Sequence, residues 1–199
     1  MLSKLPTLKF LHSANSAKLT IIVHGASEGI DSDFISELIN KCYSNSSSVL
    51  AIQMPFKDRG ESQSSGQELK EELEALSKAL EFVDYKSFTS LYFVGKSLGG
   101  IILSRFLDND NSMPDIEINF CVLGFITGDT IIPRNINSIK IIQGEFDKYG
   151  SLNDVNSNMN RSKIKNKELH IIKHADHSYR NSNKEPEYYN EAVRKVVNL

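Results

Sequence analysis

Gly95-Lys96-Ser97-Leu98-Gly99 follows directly on the apolar run Leu91-Tyr92-Phe93-Val94, and this G-x-S-x-G spacing puts a serine where it can act as a nucleophile. A strand turning sharply into a helix holds its turn residue in strained backbone, and side chains two positions away on either side would collide with it. Glycine at 95 and 99 removes them. The serine Oγ then projects at the carboxyl end of the strand, beside the helix that begins Leu98-Gly99-Gly100-Ile101-Ile102. The amino terminus of such a helix stabilises developing negative charge. Two other readings compete. Gly-Lys-Ser also ends a phosphate loop, but that loop needs glycine at position 90, which is serine, and Leu91 to Val94 read as strand where the loop must already turn. The plainest reading is a tight turn without chemistry, which only the presence of partners can displace.

A serine nucleophile needs a base and an orienting carboxylate, each just past the carboxyl end of a later strand, where ligands bind in open parallel sheets. Past Ile139-Lys140-Ile141-Ile142 comes Gln143-Gly144-Glu145-Phe146-Asp147-Lys148-Tyr149-Gly150. Past Leu169-His170-Ile171-Ile172 comes Lys173-His174-Ala175-Asp176-His177-Ser178-Tyr179. The chain order Ser, Asp, His is satisfied by short loops after consecutive strands. Asp147 is favoured as the acid over Glu145, which is nearer the strand, and Asp129, after the preceding strand. His177 is favoured as the base, with His174 a loop-stabilising alternative and Asp176 a loop cap. His24 reads as a partner of loop backbone, and His12 and His170 as strand or surface positions. His174, Asp176 and His177 are also close enough in sequence to suggest a metal, but no H-E-x-x-H helix and no further clustered ligand supports one. No cofactor is expected.

Two backbone amides must meet the developing oxyanion. One follows the nucleophile, at Leu98. The other belongs after the first buried strand, where His24-Gly25-Ala26-Ser27 makes a tight glycine turn and Ala26 is the expected donor.

The elements that must carry these loops alternate regularly. Leu19 to Val23, Ser48 to Ile52, Leu91 to Val94, Phe120 to Phe125, Ile139 to Ile142 and Leu169 to Ile172 read as strands. Phe10 to His12 reads as an antiparallel edge strand hairpinned to the first. A helix capped by Asp31 or Ser32 carries Phe34, Ile35, Leu38, Ile39 and Cys42 on one face. Another spans Glu68 to Val83, with Leu69, Leu73, Leu76, Leu80 and Val83 as its apolar stripe. A last one follows Pro186. Nearly all-apolar strands alternating with helices predict an α/β fold with a mostly parallel, doubly wound sheet of about six to seven strands. With 199 residues the chain is expected to form one domain, 1–199.

A formal charge of -2 gives no electrostatic case for nucleic acid. Cys42 and Cys121 lie in apolar runs and read as buried free thiols, which fits a reducing, cytoplasmic setting. Lys4, Pro6 and Lys9 interrupt the amino-terminal segment, so it does not read as a signal peptide, and no run is long and apolar enough to span a membrane.

H-G-A-S, M-P-F after the second strand, G-K-S-L-G-G, G-E-F-D-K-Y-G and H-A-D-H-S-Y together resemble the α/β-hydrolase superfamily, over Val23 to Tyr179. More narrowly, they are similar to a small lidless branch of it. That branch includes bacterial proteins of undefined substrate, a testis-expressed animal protein and the hydrolase-like region of a chromatin acetyltransferase-complex subunit. The resemblance implies Ser97 as nucleophile, Asp147 as acid, His177 as base, and Ala26 and Leu98 as oxyanion donors. Ser27 stands where the branch has glycine, a change expected to tighten the pocket mouth. Only Ile126 to Ser138 separate two strands where a helical lid would insert, so the site is expected to be open and suited to small or exposed esters. Lys57, Arg59 and Lys96 near its mouth read first as a solvated charged loop, with attraction of an anionic group as the alternative. The expected activity is that of a serine esterase on small ester or thioester-type substrates; the alternative is a non-catalytic interaction module on the same fold.

Overall fold

The computed structural model describes residues 5–109, 113 and 115–197; Met1 to Lys4, the start of the amino-terminal segment read above, lie outside the described residues. In chain order the elements are β1 (Leu8–Leu11), β2 (Lys18–Val23), α1 (Asp33–Ser44), β3 (Ser48–Ile52), α2 (Pro55–Asp58), α3 (Lys70–Phe82), β4 (Ser90–Lys96) and α4 (Leu98–Asn109). β5 (Glu117–Leu123), β6 (Ser138–Gly144), α5 (Leu152–Arg161), β7 (Asn166–Ile172) and α6 (Tyr189–Val197) follow, and a single 3₁₀ turn, Tyr85–Ser87, links α3 to β4. The strands form one sheet in the order β1-β3-β2-β4-β5-β6-β7. All neighbours are parallel except β1, which runs antiparallel to β3.

β2, β3 and the middle of β4 bury almost every residue because both faces of the sheet are covered. On one face α1 and α6 lay Phe34, Leu38, Ala192 and Val196 against Ile22, Val94 and Cys121. On the other, α3 and α4 pack Leu76, Leu80, Ile102 and Phe106 against Ile21, Phe93 and Phe120. The chain order reverses between β2 and β4, since β3 lies to one side of β2 and the later strands extend to the other. That switch opens a crevice at the carboxyl ends of these two strands. The register fixes what meets there: Val23 is opposite Gly95, and Lys96 is opposite Leu123.

Several local expectations change. β1 begins at Leu8 and pairs with β3, with Leu8 opposite Ile52; it does not hairpin onto β2, because β3 and β4 already occupy both edges of β2. α3 begins at Lys70, not Glu68, because Leu69 sits in left-handed backbone at φ 53°. α5 was not expected: only Val155 and Met159 are buried along it, a stripe of one residue per turn. Its start is set by Ser151, whose hydroxyl accepts from the Asp154 amide at 3.2 Å. Residues 124–137 run through turns without a helix, so no lid inserts between β5 and β6.

Phe93 is fully buried at the centre of the larger core, with the Phe106 ring 6.3 Å away. Phe93→Ala is expected to cost about 3–5 kcal/mol, read as a lowered urea midpoint with an unchanged denaturant slope.

Candidate active site

Ser97 is the hinge between β4 and α4, and its φ of 52° puts a non-glycine residue in the left-handed region. The turn is locked from both sides. The Ser97 amide donates to the Leu123 carbonyl at 2.9 Å, and the Ser97 carbonyl accepts from the Gly100 amide at 2.8 Å. The flanking glycines serve closer contacts than the serine itself. A Cβ on Gly95 would lie 2.6 Å from the Gly100 backbone, and one on Gly99 would collide with the carbonyl oxygens of Val23 and His24. The elbow therefore closes onto the end of β2. A Cβ on Gly25 would lie 3.5 Å from the Ser97 Cβ, so the Gly25-Ala26 turn lies directly against the serine.

β6 and β7 deliver the other two side chains to the same edge. β6 extends to Gly144, so Asp147 is three residues past its end; His177 follows the end of β7 by five. His177 Nε2 is 2.8 Å from Ser97 Oγ, and His177 Nδ1 is 2.7 Å from Asp147 Oδ2. A carboxylate can only accept, so Nδ1 carries the proton and Nε2 is left to accept from the Ser97 hydroxyl. Asp147 is fully enclosed at its side chain. Its Oδ1 accepts from the Tyr149 amide at 2.9 Å, and its Oδ2 also accepts from Gln143 Nε2 at 2.9 Å. The Tyr149 ring stands edge-on to the imidazole, with centroids 4.7 Å apart.

The other candidates find different partners. Glu145 accepts from the His174 amide at 2.8 Å, and Asp176 caps its own loop by accepting from the Ser178 and Arg180 amides. Asp129 lines the cleft, while His177 Nδ1 is taken by Asp147. His24 is buried, donates from Nδ1 to the Gly25 carbonyl at 2.7 Å and accepts from the Met54 amide at 3.0 Å. It thus ties the glycine turn to the end of β3. Ala26 and Leu98 both line the cleft, and among the described residues neither amide is engaged by an acceptor. Among the described residues no three His, Cys, Asp or Glu side chains gather closely enough to hold a metal ion.

The three cations do not form one solvated patch. Lys57 Nζ donates to the Ser27 carbonyl at 2.9 Å, and Arg59 bridges Glu61 and Glu71. Lys96 turns inward beneath the loop that carries His177, with its ammonium donating to the His177 carbonyl.

Gln143 and Glu72 have roles that residue type and spacing do not reveal. Gln143 is a buried amide whose Oε1 accepts from the Phe125 amide at 2.7 Å and whose Nε2 also donates to the Gly150 carbonyl at 2.8 Å. It stiffens the loop that presents Asp147. A glutamine directly after the apolar pair Ile141-Ile142, four residues before the candidate acid, was the available signal. Glu72 is a fully buried carboxylate that accepts from the Ser65 amide and hydroxyl, pinning the loop through Gln63 and Gln67 that walls the cleft.

The cleft has a volume of about 1340 Å³. Leu69, Leu98, Ile101 and Ile126 give it an apolar wall beside Ser97, and Phe146 and Tyr149 stand half-exposed at its rim. Enclosure holds the His177 imidazole below its ordinary pKa. The Lys96 cation adds to that effect, and the Asp147 hydrogen bond opposes it. Burial likewise depresses His24.

A family model described as "Alpha/beta hydrolase domain" matches residues 16–199, and the chain belongs to that family. No curated protein matches it. Among solved structures it is similar to a protein of unknown function from Agrobacterium tumefaciens, with TM-score 0.74 and 19% identity over 95% of this chain and 88% of that one. It is similar to an α/β serine hydrolase homologue from Coxiella burnetii, with TM-score 0.68 and 12% identity over 96% of this chain and 89% of that one. Est1E from Butyrivibrio proteoclasticus follows at TM-score 0.67 and 14% identity, over 96% and 90%. At these identities the likeness is one of fold.

Both histidines favour their neutral forms in the folded protein, so the unfolded chain takes up protons first as the pH falls. Their contribution to stability should therefore be constant above the ordinary imidazole pKa of about 6.5 and decline as the pH drops below it. Urea midpoints between pH 8 and pH 5 check this. His24→Asn, which removes one of the two groups, should flatten the decline.

Proposed function

We propose that this α/β hydrolase is a serine hydrolase acting on small ester or thioester-type acyl substrates, with residues 1–199 serving as one hydrolase domain. The observation that carries the reading is the unbroken hydrogen-bond chain from buried Asp147 through His177 to Ser97, on a serine held in left-handed backbone.

In this mechanism His177 Nε2 removes the Ser97 proton as Oγ attacks the acyl carbon, and Asp147 stabilises the imidazolium that results. The Ala26 and Leu98 amides receive the oxyanion. The helix dipole of α4, whose first turn begins at Leu98, adds to their field. His177 then returns its proton to the leaving alkoxide or thiolate, and water, activated by the same nitrogen, releases the acid. The apolar wall of Leu98, Ile101 and Ile126 suits a short acyl chain, and the lidless edge suits an exposed ester. The resemblance of the sequence to the α/β-hydrolase elbow supports hydrolysis over a purely structural use of the fold, since all three side chains are present and bonded in series.

Ser97→Ala should lower kcat on the best of a short-chain ester and thioester panel by about 10⁶-fold, with unchanged thermal stability. A variant that retained most of its activity would remove Ser97 from the mechanism.

A further inference from the structure

Lys96 is the side chain whose place the proposed chemistry leaves unused. It ends β4, next to the serine in the chain, and its ammonium donates to the backbone carbonyl of His177 at 2.7 Å, across 81 positions of sequence. Lys96 Nζ and the His177 ring also share one floor. A Cβ on Gly124 would lie 2.9 Å from His177 Cε1, 3.0 Å from His177 Nδ1 and 3.1 Å from Lys96 Nζ, so both groups rest on bare backbone just past β5. Beneath the ammonium, 5.2 Å from it, lies the ring of Tyr179, which is buried and anchored by its hydroxyl to the Ile142 carbonyl. The loop that carries His177 needs such a support. His174 and Tyr179 bracket it in left-handed backbone, with φ of 61° and 57°.

We propose that Lys96 is a positioning residue for His177, a brace that ties the nucleophile's own strand to the carbonyl of the base and holds the imidazole between Ser97 and Asp147. The proposal rests on the serine-hydrolase reading above for its effect on turnover, while the brace itself is a property of the folded site. The brace carries a charge in a partly enclosed place. Asp147, Glu28 and Asp176 favour the ammonium and Arg180 opposes it, while burial brings Lys96 down to about 8. The cation in turn opposes protonation of His177. One side chain thus acts on the base in two ways that substitutions can separate: geometry through a donor, and basicity through a charge.

The test compares Lys96→Met, which removes donor and charge, with Lys96→Gln, which keeps a neutral donor. Thermal melts confirm folding of both. With a neutral short-chain ester, Lys96→Met should lose roughly 10²-fold in kcat with little change in KM, as expected for a misplaced catalytic group. Lys96→Gln should recover most of that loss. In both variants the acid limb of kcat/KM should move to higher pH, because a cation facing His177 is gone. The second readout needs no turnover. The downfield proton of His177 Nδ1, assigned by its loss in His177→Asn, should be sharp in wild type and Lys96→Gln and broadened by exchange in Lys96→Met. Wild-type kcat and a sharp proton in Lys96→Met would overturn the brace, as would Lys96→Gln behaving like Lys96→Met. A wild type that shows the sharp proton yet hydrolyses no ester would defeat the serine-hydrolase reading instead, and the proton in the two variants would still decide the role of Lys96.

Discussion

The left-handed backbone at Ser97 is the constraint on which the site is built. It is sustained by close packing of α4 onto the end of β2, which only glycine at 95 and 99 permits. Strain of this kind costs of order 1–3 kcal/mol and persists only where the surroundings over-determine it. Here they do: the Ser97 amide is held by the Leu123 carbonyl of β5, and its carbonyl by the first turn of α4. Because β2, β4 and β5 are parallel and in register, the same packing that forces the turn also lays the Gly25-Ala26 turn on one side of the serine and Gly124 on the other.

A second constraint is the cost of enclosing polar groups. Asp147, Gln143, Glu72 and His24 are all buried, and each is bonded to the backbone of a loop that borders the cleft. A buried polar group without a partner costs roughly 1–3 kcal/mol, so each of these loops is held to the conformation that supplies the partner. In this way the polar interior of the sheet edge sets the shape of loops that contain little regular structure. The same enclosure lowers the proton affinity of His177, which keeps its Nε2 free to accept at neutral pH, as the proposed mechanism requires.

What was legible in the sequence followed from short-range rules. Apolar runs marked the strands, and loops past Ile142 and Ile172 placed Asp147 and His177 near Ser97, because parallel strands end on one edge. What was not legible depended on contacts distant in sequence. The direction of Lys96 is set by the floor at Gly124 and by a carbonyl at residue 177, and a lysine beside a serine carries no sign of either. The pairing of β1 with β3 follows from both edges of β2 being filled, a property of the whole sheet. α5 escaped because its sequence is polar and its two buried residues, Val155 and Met159, make too narrow a stripe to stand out.

The most direct test of an activated serine at this elbow is the intact mass of the protein after exposure to a fluorophosphonate, for wild type beside Ser97→Ala and His177→Asn. A single phosphonyl adduct is expected on the wild type, with none on Ser97→Ala and slow labelling of His177→Asn. Well-folded wild-type protein that remains unmodified, or an adduct that persists in Ser97→Ala, would contradict an activated Ser97.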